Sequence, residues 1–252
     1  MIRKTAAHAD EIAQQSAYCE QEGGIPLLSG EPFRLLQSVM YDKKAEAGSC
    51  VVWEGDPTGK LYYIRSGRIK LIKTTEEGSK LCLSVLGAGD LFGELTLMGG
   101  STYGYGAEAI EDTELGVIQE KDLEILLHRH GDLAVAFAKW MSLQHGITQS
   151  KFRDLLMFGK PGALASTLIR LANTYGVAKP DGIRIGFRLT HTELGEMIGA
   201  TRESVNRMLS ELKANGIVEV QNGYLTIRSL QGLKALCQCP SFPACPKEIC
   251  RI

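Results

Sequence analysis

The sequence predicts an α+β chain in which a small N-terminal β-roll leads into one long helix and then a C-terminal winged helix-turn-helix. Three observations carry this prediction. Between about Leu27 and Ile118, short runs of Val, Ile, Leu, Tyr and Phe are separated by tight Gly turns, the mark of closely spaced strands. From Leu133 the apolar period changes to alternating steps of four and three, which is helical. Further on, two helical segments joined at a glycine precede a hairpin signal. At 252 residues the chain has room for two domains, since domains typically hold about 100 to 200 residues. The expected divisions are 1–131 for an N-terminal segment and roll, 132–159 for the long helix, 160–232 for the winged domain and 233–252 for a cysteine-rich tail.

The strand runs come first. Cys50-Val51-Val52-Trp53 leads into Glu54-Gly55-Asp56, Leu61 to Ile64 into Ser66-Gly67, and Ile69 to Ile72 into Glu76-Glu77-Gly78. Leu81 to Leu86 then meets Gly87, Gly89 and Asp90, and the last run is Leu115 to Ile118. A roll of this kind holds either a ligand or a packed core. Cys50 and Cys82 lie in strand runs and are expected to be small buried hydrophobes, while Cys19 sits alone in a polar N-terminal segment.

Asp132 is the expected N-cap of the long helix. Leu133, Phe137, Trp140, Gln144, Ile147, Lys151, Asp154 and Phe158 form a heptad stripe, and a helix with so long a seam is expected to pack against its twin in a homodimer. Gly159-Lys160-Pro161-Gly162 breaks the pattern; Ala163 to Tyr175 is a second helix, 176–182 a loop, and Ile183-Arg184-Ile185 a short strand. In the segment from Thr190 to Leu209, Thr192 is expected to cap a first helix, Gly199 to make the turn and Thr201 to cap a second. Asn222-Gly223, between Ile217-Val218-Glu219-Val220 and Tyr224-Leu225-Thr226-Ile227, favours a type I′ hairpin. Helix, turn, helix and hairpin together make the winged motif.

The second of these helices would expose Arg202, Glu203, Asn206 and Arg207 opposite Val205, Met208 and Leu209. An Arg fork matches guanine O6 and N7, and a carboxylate accepts from cytosine N4, so the face suits the major groove of double-stranded DNA. Thr190, Thr192 and Thr201 are grouped with these four as DNA-contacting candidates. The alternative is a solvated helix face. Charge distribution favours the DNA reading: residues 1–149 carry 14 basic and 21 acidic side chains, residues 150–234 carry 12 and 7, and a basic rear half suits a polyanion. No nucleophile, metal triad or phosphate loop accompanies Glu203, so an enzyme is not expected. No apolar stretch is long enough to span a bilayer and no secretory signal opens the chain, so a cytoplasmic protein without membrane contact is expected.

Gly89-Asp90-Leu91-Phe92-Gly93-Glu94-Leu95 in the roll, the long helix, and Arg202-Glu203-Ser204-Val205-Asn206-Arg207 together resemble the CRP/FNR family of bacterial transcription regulators, over about Leu27 to Leu236. The resemblance implies a homodimer whose long helices form the interface, a roll like a cyclic-nucleotide-binding domain, and RNA polymerase as a partner. It also implies a TGTGA half-site read by Arg202, Glu203 and Arg207. The family's cyclic-nucleotide branch holds the cyclic phosphate with Arg-Ser after the Gly-Glu-Leu turn. Here that stretch is Ser101-Thr102-Tyr103-Gly104-Tyr105-Gly106, without an Arg, so cAMP is not expected as effector.

The tail holds Cys237, Cys239, Cys245 and Cys250, interleaved with prolines in a chain without an export signal, which suits a thiolate-held metal or iron–sulfur cluster. It resembles the Gram-positive branch of FNR regulators, which implies a [4Fe–4S] cluster on C-terminal cysteines. Cys245 and Cys250 match that branch's Cys-x4-Cys pair; its third ligand would fall at Phe242, so Cys239 and Cys237 are the nearest candidates. The branch's fourth ligand is an aspartate on the long helix, matched by Asp154. A carboxylate on that stripe also needs a partner on physical grounds, whether a metal, an Arg or water. The expected function is oxygen-responsive regulation. The competing one is a small-molecule regulator, its effector in the roll and its tail a zinc clasp or a thiol switch.

Overall fold

The computed structural model describes residues 29–96, 101–240, 245, 246 and 248–252; Cys19 and Phe242 lie outside them. The chain divides into two compact units, the first ending at His145 and the second opening at Gly146.

The first unit begins with α1 (Gly30–Gln37), followed by β1 (Tyr41–Ala45), β2 (Cys50–Val52), β3 (Lys60–Ser66), β4 (Arg68–Thr74), β5 (Lys80–Gly87), β6 (Leu91–Glu94), β7 (Gly106–Ala109) and β8 (Thr113–Gln119). They form two antiparallel four-stranded sheets, ordered β1-β8-β3-β6 and β2-β7-β4-β5. Period-two alternation sorts the side chains. On β3, Tyr62 and Ile64 enter a core with Phe92, Val117, Ile69 and Ala107, drawn from both sheets. Leu61 faces the other way, into a second cluster with Leu36, Leu91, Ile118 and Leu123. Tyr62 pairs with Phe92 across the β3–β6 ladder and their rings stack at 4.9 Å. Gly93 lets this ladder close: at φ 138°, a Cβ there would lie 2.3 Å from the Lys60 carbonyl oxygen.

After α2 (Glu120–Arg129), the long helix α3 (Gly131–Met157) runs through the boundary between the units. Asp132 sits within its first turn rather than capping it. Much of the expected twin-facing seam turns inward instead, with Gln144, Lys151 and Phe158 left half-buried. Leu133, Phe137 and Trp140 are buried in the first unit's own second cluster, and Ile147 and Asp154 are buried too. The apolar stripe is the helix's attachment to its own chain. A neighbouring stripe is open to solvent: Ala138, Met141, His145, Thr148, Phe152 and Leu156, again at steps of three and four.

In the second unit, α4 (Gly159–Tyr175) starts earlier than the break at Gly159 to Gly162 suggested. Pro161 is tolerated because it falls in the first turn, where its missing N–H breaks no helical bond. Residues 162–172 are buried without interruption. The expected loop 176–182 instead contains β9 (Gly176–Lys179), which pairs with β10 (Gly182–Ile185). After α5 (His191–Ile198) and α6 (Arg202–Ala214) come β11 (Val218–Gln221) and β12 (Tyr224–Ile227), and the sheet order is β11-β12-β10-β9. Asn222 and Gly223 have φ of 52° and 82°, as a type I′ turn requires. α7 (Leu230–Leu236) ends at Cys237.

Candidate functional site

Two sites emerge in the second unit, and the first is the exposed face of α6. Thr201 caps this helix by accepting from the Ser204 N–H at 3.2 Å. Val205, Met208, Leu209 and Leu212 are buried, which leaves Arg202, Glu203, Asn206 and Arg207 exposed. The cap of α5 is Thr190, not Thr192: its Oγ1 accepts from the Glu193 N–H at 3.1 Å, and the Glu193 carboxylate accepts from the Thr190 N–H at 2.7 Å. Thr192 is an exposed residue within the helix. The reciprocal pair satisfies two free helix-end groups, and the Thr-x-x-Glu spacing that signals it stands in the sequence.

Between the helices, Gly199 is left-handed at φ 59° and the Ala200 N–H donates to the Gly195 carbonyl at 2.9 Å. A Cβ on Gly195 would fall 2.4 Å from the Ala200 oxygen, so the turn demands glycine there as well. Sequence reasoning missed Arg188 and Arg184, whose guanidinium groups lie 5.6 and 5.0 Å from the centre of the Tyr224 ring on the wing. The signal for them was only two arginines four residues apart before α5.

The second site is a pocket lined by Arg153 and Asp154 of α3, Ser166, Ile169 and Arg170 of α4, and the four tail cysteines 237, 239, 245 and 250. All five predicted ligand candidates are therefore brought to one place. Among the described residues the cysteines are free thiols. Burial pushes the Cys237 thiol up to about 11 and raises Cys239 and Cys250, and neighbouring sulfurs add to each shift. Burial and neighbouring sulfurs thus disfavour the thiolate forms of Cys237, Cys239 and Cys250, which a bound cation would favour.

Asp154 is 4 % exposed and fully engaged. Its Oδ1 accepts from Arg153 Nε and Nη2 at 2.9 and 2.6 Å; its Oδ2 accepts from Arg170 Nη2 at 2.7 Å and from the Ser166 hydroxyl. Burial alone would raise its pKa, but the hydrogen bonds from Arg170, Ser166 and Arg153 outweigh it and hold the carboxyl below its ordinary range. Sequence reasoning named an Arg as one possible partner and left Arg170 unidentified. Among the described residues, no group of three or more His, Cys, Asp or Glu side chains is arranged to hold a single metal ion.

In the roll, Glu94 accepts from the Gly104 N–H at 2.9 Å. Tyr103 of the stretch 101–106 is buried in the core, donating its hydroxyl to the Lys60 carbonyl at 2.8 Å. Of the strand cysteines, Cys82 is buried as expected but Cys50 is only half-buried. Among the described residues no helix is long and apolar enough to cross a membrane.

Comparison with known proteins places these features in context. Residues 42–130 match the cyclic nucleotide-binding domain family, and residues 162–236 match the Crp-like helix-turn-helix domain family. The chain is 40% identical over 228 residues to the anaerobic regulatory protein of Bacillus subtilis, covering 90% of this chain and 94% of that protein. It is 29% identical to the global nitrogen regulator of Synechocystis, over 78% of this chain and 90% of the relative. Similar solved folds include a CooA variant from Carboxydothermus hydrogenoformans, with a TM-score of 0.69 at 21% identity over 86% of this chain and 97% of that one. FixK2 from Bradyrhizobium japonicum has a TM-score of 0.67 at 22% identity, over 79% and 97%.

Proposed function

The chain belongs to the CRP/FNR family of transcription regulators, and from that premise we propose that it is an oxygen-responsive regulator controlled by a [4Fe–4S] cluster on its C-terminal cysteines. Its relatives are DNA-binding regulators rather than enzymes, and the family implies a dimer. One observation carries the sensor reading: Cys237, Cys239, Cys245 and Cys250 line a single pocket inside the unit that presents the α6 face. The 40% identity to a protein named for anaerobic regulation supports it.

The donor set fits the group, because four thiols are the ordinary ligands of a [4Fe–4S] cluster. A zinc ion is the alternative occupant. Zinc, too, is held by four thiolates, at about 2.3 Å, but it would give a colourless tail and supply no oxygen-labile group. Asp154 borders the same pocket, but four donors occupy the roughly four acceptor positions of its carboxylate. It becomes a ligand only if one of them lets go, so the four thiols are the set proposed.

When bound, the cluster supplies a crosslink that oxygen can break. The chain's residues do the rest. Cys237 ends α7 and Cys250 lies near the C-terminus, so drawing their thiolates together ties the end of the winged unit to the α3–α4 face that carries Asp154 and Arg170. In the dimer the exposed α3 stripe is the proposed interface, setting two α6 helices about one DNA turn apart. Arg202 and Arg207 then read guanine and Glu203 cytosine in a TGTGA half-site, with RNA polymerase the partner of the bound dimer.

The test is an anaerobic absorption spectrum with iron and sulfide analysis, before and after air, beside binding to a TGTGA-N6-TCACA duplex. About four irons and four sulfides per chain, a broad band at about 400 nm that bleaches in air, and a parallel loss of binding are expected. A colourless protein that binds equally well in air after reconstitution overturns the sensor reading and leaves zinc, thiols or a ligand in the roll.

A further inference from the structure

At the thiol pocket one side chain joins three parts of the chain. Arg170 on α4 is 3 % exposed. Its Nη2 donates to Asp154 Oδ2 at 2.7 Å and to Ser150 Oγ at 2.8 Å, both on α3. Its Nη1 donates to the carbonyls of Ile249 at 2.9 Å and Arg251 at 3.3 Å, and its Nε to Ser166 Oγ at 3.3 Å. Other contacts follow the same path. Asn173 Nδ2 donates to the Cys250 carbonyl at 2.9 Å, and the Ile252 N–H donates to Thr174 Oγ1 at 3.2 Å. Gly146 makes room for Ile249, whose Cδ1 would lie 3.3 Å from a Cβ there.

We infer that Arg170 is a positioning residue that seats the last four residues of the chain on α3 and α4, and so presents Cys250 to the pocket before any cofactor arrives. Asp154 is the counter-ion that fixes its guanidinium. The seating stands on the chain's own contacts. Its consequence for iron loading rests on the cluster reading above. The planar fork matters because it meets a carboxylate on one side and two carbonyls on the other; a Lys ammonium keeps the charge but cannot span both.

The test uses the full-length protein without metal, as wild type and as Arg170→Lys, with hydrogen exchange followed along the chain. Charged hydrogen bonds hold the segment, so exchange at 249–252 is expected to rise by about tenfold or more in the variant, while α5, α6 and the wing stay at wild-type rates. Unchanged exchange at 249–252 overturns the seating. A uniform rise through the second unit also overturns it, since Arg170 would then be an ordinary core residue. Should the Lys variant fail to fold, Arg170→Gln serves in the same assay with the same expectation. In the iron arm, anaerobic loading of Arg170→Lys is expected to slow by about tenfold and still reach the wild-type iron content. Loading at the wild-type rate overturns the pre-positioning of Cys250. A wild type that takes up no iron overturns the cluster reading and that consequence with it, and the exchange arm still decides the seating.

Discussion

Arg207 and Arg202 can act on DNA in two ways that differ in what they predict. A guanidinium reading a guanine discriminates between bases, whereas one on a phosphate only adds affinity. Both side chains sit on the exposed face of a helix whose cap and buried flank fix its rotation. Arg207→Ala is therefore expected to cost about 1–3 kcal/mol on the TGTGA duplex and to relax the preference at one base pair; titrations against single-substituted duplexes measure both. Gly195 offers a test of the turn itself. Its missing Cβ leaves room for the Ala200 oxygen, which would otherwise lie 2.4 Å away, so Gly195→Ala should destabilise the second unit by about 1–3 kcal/mol in a urea titration. The exposed polar face of α6 was legible in sequence because a binary pattern states which helix face is polar. Arg170 was not, because its partners lie 16 residues before it and some 80 after it, and no periodicity links such distances.

At the level of elements, α3 shows what a heptad stripe does and does not say. Leu133, Phe137, Trp140 and Ile147 were legible as one apolar face, but a pattern cannot tell whether the partner surface belongs to the same chain or another. The structure gives that face to the chain itself and leaves Met141 and Phe152 on the next, 53 % and 64 % exposed. Phe152→Glu is accordingly expected to shift sedimentation from dimer to monomer with little change in the unfolding midpoint. Phe137→Ala should do the opposite, costing about 3–5 kcal/mol of stability, since it empties a packed site. A monomeric Phe137→Ala beside a dimeric Phe152→Glu would return the interface to the buried stripe. The strand β9 escaped the sequence for a different reason. Its four residues follow a helix directly at Gly176, and only pairing with β10 makes them a strand.

For the molecule as a whole, an acidic first half and a basic second half predict how sensing and affinity separate. On the proposed function, phosphate contacts would come from the basic unit and be felt on any sequence, so binding should weaken steeply with salt, by roughly 10³–10⁵ between 50 and 200 mM if the dimer makes 6–10 such contacts. Opening the cysteine pocket removes no Lys or Arg from the protein. Oxidation should therefore disturb the spacing of the two α6 helices while leaving the phosphate contacts of each protomer's basic unit available. In air, affinity for TGTGA-N6-TCACA is expected to fall toward that for a scrambled duplex, and the slope of log K against log salt on the scrambled duplex to remain nearly as it was. Anisotropy titrations at several salt concentrations, with and without air, read both quantities from one set of curves. A collapse of the non-specific slope together with the specific affinity would mean that air dissolves the dimer or the winged unit itself, and the pocket would then act on assembly rather than on half-site spacing.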